Sequence, residues 1–152
     1  MAGYYISLRP KGLEELGRDL HITLAYLGKL DDQEVQAVKS KLALNYGRWR
    51  GFQANVNGMA VWIAGRSYFT VGLVDGWDIR YLYSNVAILV REAGVRYNDR
   101  YPFSPHVTLS ESRTPVTAPV ITKRWPFTAD TLYLSRGDVH IPLTGENEGV
   151  HE

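Results

Sequence analysis

Cysteine is absent from this chain of 152 residues, which excludes disulfide bridges, thiolate zinc sites and cysteine nucleophiles. No stretch approaches the roughly 18 consecutive apolar residues that a transmembrane helix needs. Residues 1–10 also lack the charged start and apolar run of a signal peptide. We therefore expect a soluble, cytoplasmic protein that is not exported and does not bind membranes.

The chain also lacks a strong charge of either sign, since 17 basic residues against 16 acidic residues leave a net charge of +1. Surfaces that bind duplex nucleic acid are strongly basic, so this balance argues against binding of duplex DNA but leaves a small anionic ligand compatible. The length and the 45% hydrophobic content predict one compact domain. We place that domain at residues 1–143 and a polar, flexible tail at 144–152, and we expect a monomer.

Histidine is scarce, yet two of the four histidines open the same short pattern. His21-Ile22-Thr23-Leu24 recurs almost letter for letter as His106-Val107-Thr108-Leu109. Successive side chains of a strand point to opposite faces, so each His and Thr share one face and the two aliphatic residues share the other. The repeat predicts two half-buried strands, each of which presents an imidazole and a hydroxyl outward.

The hydrophobic periodicity predicts an α+β fold. Helical spacing and stop signals indicate helices over 31–46, where Asp31 and Glu34 form a capping box, and over 78–93. Strand signals fall at 4–8, 20–27, 52–56, 61–64, 68–73, 106–109, 127–134 and 138–143. We interpret 52–73 as a three-stranded antiparallel meander, 127–143 as a hairpin around Arg136-Gly137, and 11–19 as a loop or short helix.

Two histidines aimed at one substrate suit the cleavage of a phosphodiester bond. An imidazole, whose ordinary pKa is about 6.5, can act as acid or base at neutral pH. One imidazole would take a proton from the attacking water or hydroxyl, and the other would give a proton to the leaving alkoxide. Thr23 and Thr108 would donate hydrogen bonds to the non-bridging oxygens, whose charge grows in the transition state. The residues do not indicate which of His21 and His106 is the acid and which the base.

The other two histidines lack the motif. A zinc site would need a third ligand besides the motif histidines, and His140 is the residue that could supply it. We instead interpret His140 and His151 as structural or solvent-exposed residues. We therefore expect no metal and no other cofactor.

The double motif resembles the signature of the two-histidine (2H) phosphoesterases, the LigT-like or RNA 2′,5′-ligase-like family. Ala25-Tyr26-Leu27-Gly28 after the first motif and Tyr101-Pro102-Phe103-Ser104-Pro105 before the second are similar to the family's usual surroundings. The resemblance covers the chain from Tyr4 to about Leu143. It implies a two-lobed α+β fold in which antiparallel sheets line a central cleft and the helices lie on the outside.

The resemblance also implies a metal-independent phosphodiesterase with His21 and His106 as acid and base and Thr23 and Thr108 as phosphate ligands. Its substrate would be a cyclic or 2′-5′-linked nucleotide or short oligonucleotide. Examples are a 2′,3′-cyclic phosphate from RNA processing and a cyclic oligonucleotide signal of the kind that similar phage or bacterial proteins degrade. Two alternatives stay open: a module that binds a cyclic nucleotide without cleaving it, and a ligase that joins RNA ends through 2′-5′ bonds.

A nucleotide substrate calls for aromatic side chains, because stacking contributes roughly 1–3 kcal/mol per base. Tyr5 ranks first because its strand is expected beside the first motif strand, and Phe103 ranks with it because it precedes His106. The other candidates are Tyr26, Trp62, Tyr101 and Trp125.

Overall fold

The computed structural model describes residues 3–98 and 102–144, and within them the chain forms eight strands and two helices. The strands are β1 (Tyr4–Leu8), β2 (Ile22–Gly28), β3 (Phe52–Ala64), β4 (Ser67–Asp75), β5 (His106–Ser112), β6 (Trp125–Ala129), β7 (Leu132–Arg136) and β8 (Val139–Pro142). The helices are α1 (Asp32–Tyr46) and α2 (Trp77–Glu92). The predicted α+β class is therefore confirmed.

The strands form two four-stranded antiparallel sheets, each built from distant parts of the chain. The first sheet has the order β2-β1-β7-β8, and the second has the order β5-β4-β3-β6. The motif strands β2 and β5 are both edge strands, and these two edges contact each other. Because the first sheet joins both ends of the described chain, the two sheets do not correspond to the two halves of the sequence.

A cluster of buried hydrophobic side chains connects the two sheets with both helices. Helix α1 packs against β7, and α2 packs against β2 and β3. Within the two motifs, Ile22, Leu24 and Val107 are at most 2% exposed. The prediction that the aliphatic face of each motif is buried is confirmed for these three residues.

Local hydrogen bonds explain where α1 begins. The Asp31 carboxylate accepts a hydrogen bond from the Glu34 backbone N–H at 2.8 Å, and the Glu34 carboxylate accepts one from the Asp31 backbone N–H at 3.0 Å. Such a capping box satisfies two donors that would otherwise lack a partner, and the N-cap contributes about 1 kcal/mol. The predicted capping box and the end of the helix at Tyr46 are both confirmed.

The predicted three-stranded meander is wrong, because residues 52–64 form one strand. β3 pairs with β4 as a single hairpin whose turn contains Gly65, at a left-handed φ of +60°. The register shifts between Val56 and Gly58, where a bulge inserts one extra residue. This bulge interrupts the alternation of side chains, which is why the sequence pattern resembled two separate strands.

The predicted strand over 127–134 is also wrong, because it divides between the two sheets. β6 pairs with β3 in the second sheet, whereas β7 pairs with β1 in the first. Between them, the Asp130 carboxylate accepts hydrogen bonds from Lys11 at 2.9 Å and from the Thr131 hydroxyl at 3.0 Å. The hairpin around Gly137 is confirmed as β7 and β8. Residues 11–19 form turns, with one bridge between Lys11 and Thr128.

Neither α1 nor α2 combines the length and the apolar character that crossing a bilayer would require. Residues 145–152, which make up most of the predicted tail, lie outside the described residues. The predicted domain boundary at 143 stays a prediction.

Gly72 lies on β4, and its lack of a side chain allows residues of the neighbouring strands β3 and β5 to pack closely over it. A Cβ atom at this position would lie 2.9 Å from Cγ1 of Val56 and 3.0 Å from Cγ2 of Val107. Real Cβ atoms avoid such distances, so the missing side chain is what lets these two valines approach each other. Val107 belongs to the second motif, and its packing therefore helps to position β5.

We expect Gly72→Ala to lower the free energy of unfolding by about 1–3 kcal/mol, because the added methyl group overpacks the core. Urea denaturation measures this change. Gly58→Ala is the matched control on β3, since a Cβ there would make only an ordinary contact of 3.4 Å with Leu73. Equal losses of stability in the two variants would contradict the role assigned to Gly72.

Candidate active site

The two motifs meet where the first sheet borders the second. His106 is the first residue of β5, and His21 directly precedes β2, so the predicted strand start at Leu20 is two residues too early. The side chains of His21, Thr23 and His106 are half-buried, and that of Thr108 is exposed. Each motif thus keeps its imidazole and hydroxyl at least partly accessible while its aliphatic residues are buried.

A backbone carbonyl orients the His106 ring. Nδ1 of His106 lies 2.8 Å from the carbonyl oxygen of Ser104. A carbonyl oxygen can only accept a hydrogen bond, so Nδ1 carries the hydrogen and Nε2 of the neutral ring keeps a free lone pair. Nε2 can therefore accept a proton when the ring is neutral and donate one when the ring is charged.

Trp62 of β3 packs beside His106. The centroids of the two rings are 4.3 Å apart, and the ring planes are tilted by 60°. The contact supports the imidazole on one side. It also brings an indole, one of the sequence candidates for base stacking, directly next to a motif histidine.

Tyr5 lies next to His21, and Tyr26 lies next to Tyr5. The Tyr5 ring centroid is 5.5 Å from that of His21 and 6.3 Å from that of Tyr26. The Tyr5 hydroxyl donates a hydrogen bond to the carbonyl of Gly137 at 3.3 Å, which holds the ring in place. Tyr26 is 57% exposed, so much of its ring remains open to a ligand.

Phe103 packs against helix α2. It stacks on Tyr83 of α2, with centroids 4.1 Å apart and ring planes within 5° of parallel, so one of its faces is already covered. Its role in binding a base stays a prediction. Of the lower-ranked candidates, Trp125 lies on β6, at the edge of the second sheet opposite β5, and Tyr101 lies outside the described residues.

Burial and neighbouring positive charges lower the pKa of His21 below its ordinary value of 6.5. Burial has the largest effect, and the charges of His140, Arg9 and His106 add to it in that order. Because the charged form of His21 is disfavoured, its neutral form predominates near pH 7 and can accept a proton.

His140 lies in the same neighbourhood, and its interpretation as a structural or solvent-exposed residue stays a prediction. Its half-buried ring packs edge-on against Tyr5, with centroids 6.4 Å apart, and its Nδ1 lies 2.7 Å from Oγ of Ser135. No sequence motif surrounds His140. Only the pairing of β7 with both β1 and β8 brings it here, so the sequence carried no signal that could have revealed it. His151 lies outside the described residues.

The described part of the chain contains no set of side chains that could together bind a zinc ion. Within residues 3–98 and 102–144, no three His, Asp or Glu side chains lie close enough together to hold a metal ion. His21, His106 and His140 are therefore neighbours without being a coordination sphere.

The lowered pKa of His21 predicts how the stability of the protein depends on pH. As the pH falls, the unfolded chain takes up this proton before the folded protein does. The contribution of His21 to the free energy of unfolding is therefore complete above about pH 6.5 and is lost as the pH falls through the lowered pKa. An NMR titration of the His21 ring should give a midpoint below 6.5, and His140→Asn should raise that midpoint by removing a side chain that lowers the pKa of His21. A midpoint at or above 6.5 in the parent protein would contradict this account.

The fold has counterparts among solved structures, although neither a protein-family model nor a curated protein sequence matches the chain. A phosphoesterase structure superposes with a TM-score of 0.72 at 18% identity, covering 93% of this chain and 94% of that one. LigT from E. coli, complexed with NADP+, gives a TM-score of 0.69 at 18% identity with the same coverage. The PDE domain of MHV ns2 gives 0.57 at 12% identity, covering 89% of this chain and 99% of that one. The resemblance inferred from the two His-x-Thr motifs is thus confirmed at the level of the fold: this chain has the LigT-like fold of the 2H phosphoesterases.

Proposed function

We propose that this protein is a phosphodiesterase that hydrolyses a cyclic or 2′-5′-linked nucleotide or short oligonucleotide without a metal ion. The observation that carries the proposal is the pair of His-x-Thr motifs on contacting edge strands. Proteins of the same fold include a phosphoesterase and a PDE domain, which supports phosphodiester chemistry. LigT is known in complexes with NADP+, ATP and 3′-AMP, which supports a nucleotide ligand.

The reaction on a 2′,3′-cyclic phosphate illustrates the mechanism. One imidazole takes a proton from water while the water oxygen forms a bond to phosphorus. The bond from phosphorus to one ribose oxygen breaks, and the other imidazole gives its proton to that oxygen. The two histidines then exchange protons with solvent to restore their starting states.

The surroundings of the two rings favour His21 as the base and His106 as the acid. Burial, the largest effect, and the charges of basic neighbours lower the pKa of His21 and favour its neutral form, which a base must have before the reaction. The Ser104 carbonyl holds the hydrogen of His106 on Nδ1, so the transferable proton of the charged ring sits on Nε2. In the reverse reaction, which would join RNA ends, the two roles exchange.

Thr23 and Thr108 complete the phosphate site, and aromatic rings complete the nucleotide site. Each hydroxyl follows its histidine by two residues, so it lies on the same face of its strand as the imidazole. A hydroxyl donor aimed at a non-bridging oxygen stabilises the charge that develops there. A base would stack on Trp62, which lies beside His106, on Tyr5, which lies beside His21, or on Tyr26, which lies beside Tyr5.

The parent protein should hydrolyse at least one member of a panel in the presence of EDTA. The panel comprises 2′,3′-cyclic nucleotides, 2′-5′-linked dinucleotides and cyclic dinucleotides. His21→Ala and His106→Ala should each lower kcat by roughly a hundred- to ten-thousandfold. The rate of the parent should follow a bell-shaped pH profile, of which His21→Ala removes the acidic limb and His106→Ala the basic limb.

Other outcomes of this assay would select a different function. Tight binding of a panel member without product would favour a sequestering module, and joining of RNA ends without hydrolysis would favour a ligase. Activity that disappears in EDTA and returns with zinc would rule out the metal-free mechanism.

Replacing the motif threonines tests their part in the reaction. Thr23→Val and Thr108→Val keep the shape of the side chain but remove the hydroxyl, so each should lower kcat by roughly a hundred- to a thousandfold with less effect on KM. Thr23→Ser and Thr108→Ser are the matched controls and should retain most of the activity. If the valine variants match the serine variants in kcat, the hydroxyls do not bind the reacting phosphate.

A further inference from the structure

A third histidine shares the face of the first sheet that carries Tyr5. The pairing of the strands sets Tyr26, Tyr5, Ser135 and His140 opposite one another across β2, β1, β7 and β8. Residues directly opposite each other in antiparallel strands share a face. This row therefore leads from the first motif strand to His140, and the rings of both His21 and His140 have their centroids within 6.4 Å of the Tyr5 ring centroid.

Ser135 orients the His140 ring. Its side chain is fully buried, and its hydroxyl oxygen lies 2.7 Å from Nδ1 of His140. Nδ1 therefore faces the neighbouring strand, and Nε2 lies on the far side of the ring. The hydroxyl can donate to Nδ1 of the neutral ring, which leaves the hydrogen on Nε2, and it can accept from Nδ1 of the charged ring, in which Nε2 is protonated as well. In both forms Nε2 can donate a hydrogen bond to a ligand.

Besides burial, which has the largest effect, three basic side chains lower the pKa of His21 through their charge. They are His140, Arg9 and His106, in order of decreasing effect. Arg9 forms an ion pair of 3.3 Å with Asp19, whose side chain is 87% exposed. One phosphodiester group carries a single negative charge, and the motif residues already provide for it. His140 and Arg9 lie outside the two motifs and can provide for a second phosphate.

The charged groups of the β7–β8 hairpin do not share this arrangement. The Arg136 guanidinium lies 5.3 Å from the centre of the Tyr4 ring, and Tyr4 precedes Tyr5 and so points to the opposite face of β1. Asp138 is an exposed residue between β7 and β8. Arg136 lies on β7, the strand that pairs with the strand of His140, but on the opposite face. Its replacement is therefore a matched control for the loss of a basic side chain.

We propose that His140, oriented by Ser135, binds a second phosphate of the substrate beside the scissile phosphodiester. The inference rests on the proposed function and narrows its substrate class to nucleotides and oligonucleotides that carry at least two phosphates. His140 is a binding residue in this role, since oxygens of the second phosphate accept a hydrogen bond from its Nε2.

Binding of adenosine 3′-phosphate and adenosine 3′,5′-bisphosphate, measured by calorimetry, tests the inference without requiring any reaction. The parent should prefer the bisphosphate, and His140→Asn should lower affinity for the bisphosphate roughly tenfold while changing affinity for the monophosphate less than about twofold. Ser135→Ala should reduce the preference in the same direction, and Arg136→Gln should preserve it. The inference is overturned if the parent shows no preference, if His140→Asn weakens both ligands equally, or if Arg136→Gln has the same effect as His140→Asn.

A kinetic comparison separates this inference from the proposed function. Adenosine 2′,3′-cyclic phosphate is assayed with and without a 5′-phosphate, and the parent should show a higher kcat/KM for the doubly phosphorylated substrate, a difference that His140→Asn removes. Equal values in the parent, with hydrolysis of both, would overturn the second phosphate site and leave the phosphodiesterase intact. Hydrolysis of neither compound, nor of any dinucleotide, would instead remove the proposed function, and the preference for the bisphosphate would still decide whether His140 binds a second phosphate.

Discussion

The structure depends on the contact between two edge strands, β2 and β5, whose aliphatic residues are buried in one core. Side chains of a strand alternate between its faces, so burial of Ile22 and Val107 directs the adjacent imidazoles and hydroxyls away from that core. A slip of one residue in either strand would exchange the two faces and remove a histidine from the site. The packing that stabilises the fold therefore also determines the geometry of the candidate active site.

An edge strand usually exposes unpaired backbone groups, which makes it prone to unwanted pairing. Here the two edges border each other, and the side chains beside their shared boundary are the candidate catalytic groups. The two sheets thus contribute one half of the site each, His21 with Tyr5 from the first and His106 with Trp62 from the second. Neither sheet carries both imidazoles, so a site that needs an acid and a base requires both sheets to pack correctly.

Local signals in the sequence predicted much of the fold. The Asp31 capping box, the strand over 4–8 and the burial of Ile22, Leu24 and Val107 depend on neighbouring residues, and the structure has each where it was expected. The two strand predictions were wrong where pairing between residues far apart in the sequence determines the structure. The bulge beside Asn57 hides the continuity of β3, and nothing within residues 127–134 reveals that β6 and β7 join different sheets.

The same distinction applies to the histidines. Two of them could be recognised because the motif repeats, whereas His140 reaches the site only through the pairing of β8 with β7 and of β7 with β1. The hydrogen-bond partner of Nδ1 then determines how the His106 and His140 rings differ in their chemistry. The Ser104 carbonyl leaves Nε2 of His106 free to gain and lose a proton, whereas the Ser135 hydroxyl can keep Nε2 of His140 a donor in either charge state. His106 is thus suited to proton transfer and His140 to anion binding. The difference comes from the atom that contacts Nδ1, a backbone carbonyl oxygen at His106 and a side-chain hydroxyl at His140.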